Sequence, residues 1–188
     1  MMKTILLSFF LTVAAFGQYD YSLEDINPSS ENYGLNVGTS FYEGSVTIHY
    51  FGHFYWGTCS ARFGQLNELV DNLKSQNYPV ELIGLGKETH IGSLYNWTAN
   101  NDASVCSDQS PFSIWDAWDA SQRDMYVLDL NGNLILEQNI TSGIPDDLEE
   151  LIISLIAPPP ACILGEVYVS EAHTSGEPED YIEIYNSG

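Results

Sequence analysis

The chain has 188 residues, of which 26 are acidic and only 5 are basic, so its formal net charge is −21 at neutral pH. A surface this acidic repels the phosphates of nucleic acids, which excludes nucleic-acid binding as its function. Apolar residues make up 44% of the sequence and aromatic residues 13%, which is enough for a packed core and excludes an intrinsically disordered chain.

Residues 1–17 have the pattern of a secretory signal peptide. Lys3 supplies a positive start, residues 5–16 are a short apolar run, and small residues precede the cleavage site that we expect before Gln18. The apolar run is too short to span a bilayer comfortably, and no other stretch is long and apolar enough. We therefore expect a secreted, periplasmic or cell-surface protein without membrane insertion.

A strand followed by a helix organises the first half of the chain. Residues 45–51 are rich in β-branched and aromatic side chains bounded by glycine, which favours a strand. Apolar residues then recur at three- and four-residue steps, which predicts an amphipathic helix over residues 60–75. Cys59 therefore lies where the strand has ended and the helix begins. Residues 80–85 (VELIGL) predict a second strand, parallel to the first across a right-handed crossover.

The second half of the chain predicts a hairpin and a closing helix. Asn131-Gly132 between two apolar runs is typical of a β-hairpin whose two turn positions have positive φ. Residues 144–156 predict an amphipathic helix, with proline and acidic residues at its start. The order β-α-β-α-β-β-α indicates an α/β fold with thioredoxin topology. The other expected elements are a helical patch within 87–101, an extended segment at 104–107, a short helix at 112–120 and hairpin strands at 124–130 and 133–138.

Three consecutive prolines separate the first domain from a short tail. Such a run favours an extended, stiff linker. The tail contains two alternating strands, at 166–172 and 181–185, and is too short to bury a core of its own. We therefore expect a thioredoxin-like domain at 18–157, a linker at 158–161 and the truncated start of a β-sandwich at 162–188.

Two family resemblances support this division. Residues 45–156, through the helix after Cys59 and the segment IWDAWDASQRDMYVLDLNGNL, resemble the N-terminal thioredoxin-like domain of selenoprotein P and its bacterial relatives. The tail segment EDYIEIYN resembles the opening strands of a lamin-tail domain, an immunoglobulin-like all-β sandwich often appended to exported bacterial proteins. The first resemblance implies thiol–disulfide chemistry, with protein thiols or disulfides as partners.

The chain departs from that family at two positions. The family uses two redox residues separated by two others, and the helix register places Cys59 on the second, resolving position. Trp56 then occupies the position of the nucleophile, and an indole cannot attack a disulfide. Thioredoxins also place a cis-proline just before the strand expected at 124–130, where this chain has Arg123 and Asp124.

Cys59 is the candidate catalytic residue, with Cys106 as its resolving partner. A helix N-terminus stabilises a thiolate, which could form a mixed disulfide or be oxidised reversibly. The alternative is that Cys59 is a buried relic of the family or part of a structural disulfide. Cys162 makes the number of cysteines odd, so at most one intramolecular disulfide can form. Without a CxxC or CxxH motif, a structural zinc site has no support.

The remaining polar candidates favour structural roles. His49 lies within a strand and is expected to be packed or half-exposed, and His53, near Cys59, has no third group to orient it as a base. The turn at 129–133 lacks the final glutamate of a calcium loop, so turn chemistry explains it. The sequence predicts no metal site and no cofactor. The two histidines without partners at ligand spacing are His90 and His173.

Two functional hypotheses follow. The first is thiol–disulfide exchange or thiol oxidation at Cys59, and the second is a binding or structural module that has lost its nucleophile. Trp56 favours the second, whereas a cysteine at the helix start favours the first. A peroxidase is a weaker third class, because no Thr or Pro precedes Cys59 at peroxiredoxin spacing.

Overall fold

A computed structural model describes residues 17–156, 167–172 and 182–186. The chain divides into two compact units, Met1–Ile156 and Ala157–Gly188, which are considered separately. The expected signal peptide, apart from Gly17, and the expected linker lie outside the described residues.

The first unit is built on a five-stranded mixed sheet. Its strands, in their order across the sheet, are β5 (Ser104–Asp108), β4 (Val80–Lys87), β3 (Val46–Phe51), β6 (Asp124–Leu128) and β7 (Leu134–Asn139). Strands β3, β4 and β5 are parallel, β6 runs antiparallel to β3, and β7 runs antiparallel to β6. Two short 3₁₀ helices lie at Ser40–Tyr42 and Glu88–Ser93. In chain order the elements are β1 (Leu23–Glu24), β2 (Asn36–Val37), β3 (Val46–Phe51), α1 (Gly57–Ser75), β4 (Val80–Lys87), α2 (Tyr95–Thr98), β5 (Ser104–Asp108), α3 (Ser113–Ala117), β6 (Asp124–Leu128), β7 (Leu134–Asn139) and α4 (Leu148–Ile156).

All six residues of the central strand β3 are buried, because both faces of the sheet are covered. Alternate residues of a strand point to opposite faces. Ile48 and its neighbours two residues away face α1 and α4, a side that we call the helix face. Phe51 faces α3 and the N-terminal segment 17–44, a side that we call the N-terminal face. The β3 residues of the helix face are Val46, Ile48 and Tyr50, and those of the N-terminal face are Thr47, His49 and Phe51.

The helix face is closed by the apolar stripe that the sequence predicts. Phe63, Leu66 and Leu73 of α1 are fully buried against the sheet. Trp97 of α2 stacks on Phe63 with the ring centroids 4.6 Å apart. At about 25 cal/mol for each Å² of buried apolar surface, these large side chains supply much of the free energy of folding.

The predicted parallel pair, its crossover helix and the hairpin are all confirmed, but the predicted order of elements was incomplete. From β3 to α4 the order is β-α-β-α-β-α-β-β-α. The extended segment at 104–107 pairs with β4 as a true edge strand, and a further helix, α3, leads from it to β6. Helix α1 also begins earlier than predicted, at Gly57, and α4 begins later, at Leu148.

The hairpin turn differs from the expected type. Gly132 has φ of +76°, but Asn131 does not have a positive φ. The Asp129 carboxylate instead accepts hydrogen bonds from the backbone N–H groups of Asn131 and Asn133. The Asp129 side chain thus stabilises the turn, which needs a glycine at only one position.

The second unit contains two described strands, β8 (Val167–Ala172) and β9 (Ile182–Asn186), paired antiparallel. This confirms the two predicted strands. The immunoglobulin-like sandwich stays a prediction. Among the residues that the structure describes, no helix has both the length and the apolar character that crossing a membrane requires.

Candidate functional site at the start of the long helix

The loop between β3 and α1 lies at the carboxyl ends of the parallel strands, where open α/β sheets place their binding sites. Its backbone is tied to the neighbouring strand, since the Gly52 N–H donates to the Leu85 carbonyl over 3.1 Å. Phe54 lies directly over Gly86, and a Cβ at Gly86 would stand only 2.1 Å from the Phe54 ring. Phe54 can therefore occupy this position only because residue 86 has no side chain, and this packing positions the loop that leads into α1.

Trp56 is the N-cap of α1. Its backbone is extended, its carbonyl accepts from the Ser60 N–H, and its side chain makes no capping hydrogen bond. The indole is 40% exposed. The Arg123 guanidinium lies 5.7 Å from the Trp56 ring centroid, within cation–π distance. Trp56 thus presents an aromatic surface at the helix start, where the family resemblance implies a nucleophile.

Cys59 is the third residue of α1 and is completely buried. The Gln122 side-chain amide donates to Cys59 Sγ over 3.3 Å, and the Tyr50 hydroxyl donates to the Cys59 carbonyl over 3.3 Å. The thiol is free. Its place in the first helical turn agrees with the prediction, and its complete burial is one of the alternatives that the sequence left open.

Cys106 does not meet Cys59. It lies in β5 opposite Leu85 and belongs to the N-terminal face, whereas Cys59 belongs to the helix face. The Cys106 thiol is free, donates to the Leu23 carbonyl over 3.7 Å, and has its pKa raised by burial. The hypothesis that Cys106 is the resolving partner of Cys59 is not supported, because alternation along β5 turns Cys106 to the face opposite α1. A disulfide between the two cysteines is not formed.

Two histidines meet beside the start of α1. His53 Nδ1 and His90 Nδ1 are 2.6 Å apart, and their ring centroids are 4.2 Å apart. Burial lowers the pKa of His53 to about 4, helped by the neighbouring His90 and by Lys87. Burial and Lys87 also lower the pKa of His90. Both imidazoles are therefore neutral at neutral pH, and one donates its Nδ1 proton to the other.

Aromatic side chains surround this pair. The His53 ring centroid lies 5.8 Å from that of Tyr55, 5.4 Å from that of Trp56 and 5.9 Å from that of Trp115. The Lys87 ammonium lies over the Trp115 ring, 4.5 Å from its centroid. The result is a half-buried cluster that combines aromatic surface with imidazole nitrogens.

The contact between His53 and His90 was not predicted, because the two residues are 37 positions apart in the sequence. The positions of the two histidines relative to the strand ends could nonetheless have indicated the contact. His53 follows the end of β3 by two residues and His90 follows the end of β4 by three. Because β3 and β4 are parallel neighbours, their carboxyl ends meet, and side chains just beyond them can touch.

The other candidates have structural roles. His49 is fully buried on the N-terminal face, with Nε2 2.9 Å from the Thr47 hydroxyl and Nδ1 2.8 Å from the Tyr21 hydroxyl. This confirms that it is a packed residue. The turn carboxylate of Asp129 is occupied by backbone donors. Within the described part of the chain, no cluster of three or more His, Cys, Asp or Glu residues is arranged to hold a metal ion.

Comparison with known proteins identifies the fold. No protein-family model matches the chain, and no curated protein matches it. Solved structures do match, and they are thioredoxin-fold proteins. A secreted Mycobacterium tuberculosis disulfide oxidoreductase homologous to E. coli DsbE aligns with 73% of this chain and 98% of its own, at 13% identity and a TM-score of 0.58.

Two further structures align over the same region. The thioredoxin domain of a thiol-disulfide oxidoreductase from Bacteroides vulgatus covers 73% of this chain and 94% of its own, at 11% identity and a TM-score of 0.56. BsSco, of the Sco family of cytochrome c oxidase assembly proteins, covers 72% and 91%, at 17% identity and a TM-score of 0.56. The chain therefore has a thioredoxin-like α/β fold, and identities this low show the fold alone.

Proposed function

We propose that this protein is an exported binding module in which the start of α1 recognises a partner polypeptide without turning over disulfides. The observation that carries the proposal is the complete burial of Cys59 together with a partly exposed tryptophan at the N-cap of the same helix. We further propose that residues 18–157 are a degenerate relative of the selenoprotein P N-terminal domain, and that residues 162–188 begin a lamin-tail-like sandwich after the linker at 158–161.

Burial of the thiol argues against a dithiol cycle. Thiol–disulfide exchange requires a thiolate sulfur to approach the partner's disulfide in line, so the attacking sulfur must be accessible. Cys59 Sγ has no exposure, and Trp56 stands at the position where an attacking residue would reach solvent. Cys106, the other described thiol, faces the opposite side of the sheet and cannot resolve a mixed disulfide.

The surface around the helix start supports binding. Tyr55 is 48% exposed and lies edge-on to Trp56, with their ring centroids 5.6 Å apart. Asn96 donates from its side chain to the Phe54 carbonyl over 3.0 Å, which ties this loop to the segment that carries the exposed Tyr95. Tyr and Trp are enriched among the residues that dominate the energetics of protein interfaces.

Export is part of the proposal. It rests on the signal-like residues 1–17 and on the M. tuberculosis structural neighbour, which is a secreted protein. The strongly acidic composition favours solubility outside the cell.

A second candidate is thiol chemistry at Cys59, with protein thiols or disulfides as partners. It is favoured by the position of Cys59 in the first turn of α1, where its Sγ accepts a hydrogen bond from the Gln122 amide. The oxidoreductase names of the structural neighbours agree with it. This candidate requires a motion that uncovers the sulfur.

Native-state alkylation separates the two candidates. Purified protein is treated with iodoacetamide at several pH values, with and without prior reduction, and the modification of each cysteine is followed by mass spectrometry. We expect Cys59 to react as slowly as Cys106, which is an internal control because it is equally buried, and both to react after unfolding. Rapid labelling of Cys59 while Cys106 stays protected would overturn the binding proposal and favour redox chemistry.

A peptide selection tests the binding surface itself. Peptides enriched from a random library on the immobilised protein are expected to lose binding to Trp56→Ala and Tyr55→Ala. The matched control is Tyr33→Ala, which removes an aromatic side chain that is 59% exposed and lies in the N-terminal segment. Enrichment of no peptide, or binding that survives both loop variants, would contradict the proposed surface.

A further inference from the structure

The binding proposal gives no role to the contact between His53 and His90. Their Nδ1 atoms face each other at 2.6 Å, below the usual range of about 2.7–3.2 Å for hydrogen bonds donated by nitrogen. His53 lies in the loop after β3 and His90 in the 3₁₀ helix after β4, and the parallel pairing of β3 and β4 brings them together. Both are half-buried, so the pair borders solvent.

We propose that His53 and His90 are two ligands of a divalent transition-metal ion, with Cu²⁺ as the preferred ion. An imidazole nitrogen binds such an ion at about 2.0 Å, so two nitrogens at right angles around one ion are about 2.8 Å apart. The observed separation of 2.6 Å is close to that distance. Loss of the shared proton and rotation of the two rings, so that both Nδ1 lone pairs point at one ion, would give square-planar or octahedral geometry with little change in the distance between the nitrogens. Tetrahedral geometry would require a wider separation, which disfavours Zn²⁺.

The scaffold holds the two ligands in place before any ion binds. The Gly52 N–H donates to Leu85, which fixes the chain just before His53. The 3₁₀ helix Glu88–Ser93 carries His90, and the Leu94 N–H donates to the Ile91 carbonyl at its end. Ligands whose backbone is already fixed lose less conformational entropy on binding, which raises the affinity of a site that has few ligands.

Two electrostatic effects oppose each other at this site. The chain carries a formal net charge of −21, which attracts cations to its surface. The Lys87 ammonium repels a cation from the histidine pair, although it is directed over the Trp115 ring. No third protein ligand joins the pair within the described residues, so water or a side chain of a bound partner completes the coordination. We therefore expect moderate affinity and an ion that exchanges.

The test uses tryptophan fluorescence as a local readout. Cu²⁺ quenches nearby indoles, and the ring centroids of Trp56 and Trp115 lie 5.4 and 5.9 Å from that of His53. Purified protein is titrated with CuSO₄ in a non-coordinating buffer, and the bound ion is counted by equilibrium dialysis. We expect saturable quenching with one Cu²⁺ of moderate affinity per chain. Zn²⁺ is expected to bind more weakly than Cu²⁺, as the general affinity order of divalent first-row metals gives.

Substitution of either ligand completes the test. His53→Gln and His90→Gln are each expected to weaken Cu²⁺ binding by about tenfold or more, because each removes one of two protein ligands. The matched control is His173→Gln, which removes a histidine outside the pair and should leave binding unchanged. His90 lies in a surface 3₁₀ helix, so His90→Gln remains informative if the His53 variant is unstable.

The results that would overturn the metal-site proposal differ from those that would overturn the binding proposal. Absence of saturable Cu²⁺ binding by the wild-type protein, or equal binding by folded His90→Gln protein, would reduce the contact to a hydrogen bond between two imidazoles. Neither result bears on the peptide selection, which is performed in the presence of a chelator.

Discussion

The two faces of the sheet are buried by different means. On the helix face, regular helices contribute large apolar side chains, and the stacked rings of Trp97, Phe63 and Tyr50 fill the space against β3 and β4. On the N-terminal face, short helices and the irregular segment 17–44 cover a surface that includes buried polar groups. One side of the fold thus depends on apolar packing and the other on the satisfaction of hydrogen bonds.

Several polar groups of the N-terminal face and its edge are buried and hydrogen-bonded. Asn27 is fully buried and donates to the carbonyls of both Asn101 and Ala103, at 2.9 and 2.8 Å. The Tyr42 hydroxyl lies 2.8 Å from the Ser104 hydroxyl. Such networks stabilise a fold only when every member is paired, so they make the covering segment sensitive to single substitutions. We therefore predict that substitutions on the helix face promote unfolding of the whole domain. Substitutions on the N-terminal face should instead release only the segment 17–44.

The largest effect is expected from Trp97→Ala. The side chain is fully buried and stacks between rings, so its removal leaves a cavity and should lower the free energy of unfolding by about 3–5 kcal/mol. Urea unfolding followed by far-UV circular dichroism measures the change. Because the loss is global, protease sensitivity should rise throughout the domain. A loss below about 1 kcal/mol would show that the helix face does not depend on this packing.

A smaller and local effect is expected from Asn27→Ala. The change leaves two carbonyls without a donor, which costs about 1–3 kcal/mol for each buried group that water cannot reach. Limited proteolysis should cut first within residues 17–44, while α1 stays protected from hydrogen exchange. Ser29→Ala, a neighbouring change on the same segment, serves as the control. Cleavage that spreads evenly through the domain would remove the distinction between the two faces.

The third prediction concerns pH and His49. Burial lowers the pKa of His49 to about 3, whereas an unfolded histidine has a pKa of about 6.5. The stabilisation from keeping this imidazole neutral is present above pH of about 6.5. It is lost as the pH falls toward about 3, because the unfolded state binds a proton that the native state does not.

Between pH of about 6.5 and about 3, His49 should therefore lower the free energy of unfolding by about 1.4 kcal/mol for each unit that the pH falls. The check is an NMR titration of the imidazole signals, in which the His49 resonance stays unshifted from pH of about 7 down to about 5. His53, with a folded pKa of about 4, adds a slope of the same sign. A His49 resonance that titrates near the ordinary value of about 6.5 would show that the N-terminal face admits water.

The fold was largely predictable because its signals are local. The apolar stripe after Cys59, the run VELIGL and the turn at Asn131-Gly132 each specify an element within a few residues. The edge strand β5 was harder, because a five-residue extended segment has no periodicity that distinguishes it from a loop. Its inclusion in the sheet depends on β4, which lies outside any local window.

The site was only partly predictable for a related reason. The position of Cys59 at the helix start followed from the sequence, since strand and helix adjoin there. Which face Cys106 occupies depends on the residue-by-residue register between β4 and β5, and a shift of one residue would reverse it. The contact of His53 with His90 is a long-range consequence of parallel pairing. Such a pairing joins residues that are far apart in the sequence, so it produces no local sequence pattern.

Trp56 as the N-cap of α1 also has a consequence at the level of the genetic code. A tryptophan codon becomes a cysteine codon by a change of its third base, so Trp56→Cys needs a single mutation. That substitution would give the chain two cysteines separated only by Gly57 and Thr58. The new thiol would stand at an exposed helix N-terminus, with the buried Cys59 thiol one turn further along the same helix. The chain is thus one nucleotide away from a pair of cysteines in the first turn of α1, and the same scaffold offers a direct starting point for engineering a disulfide catalyst.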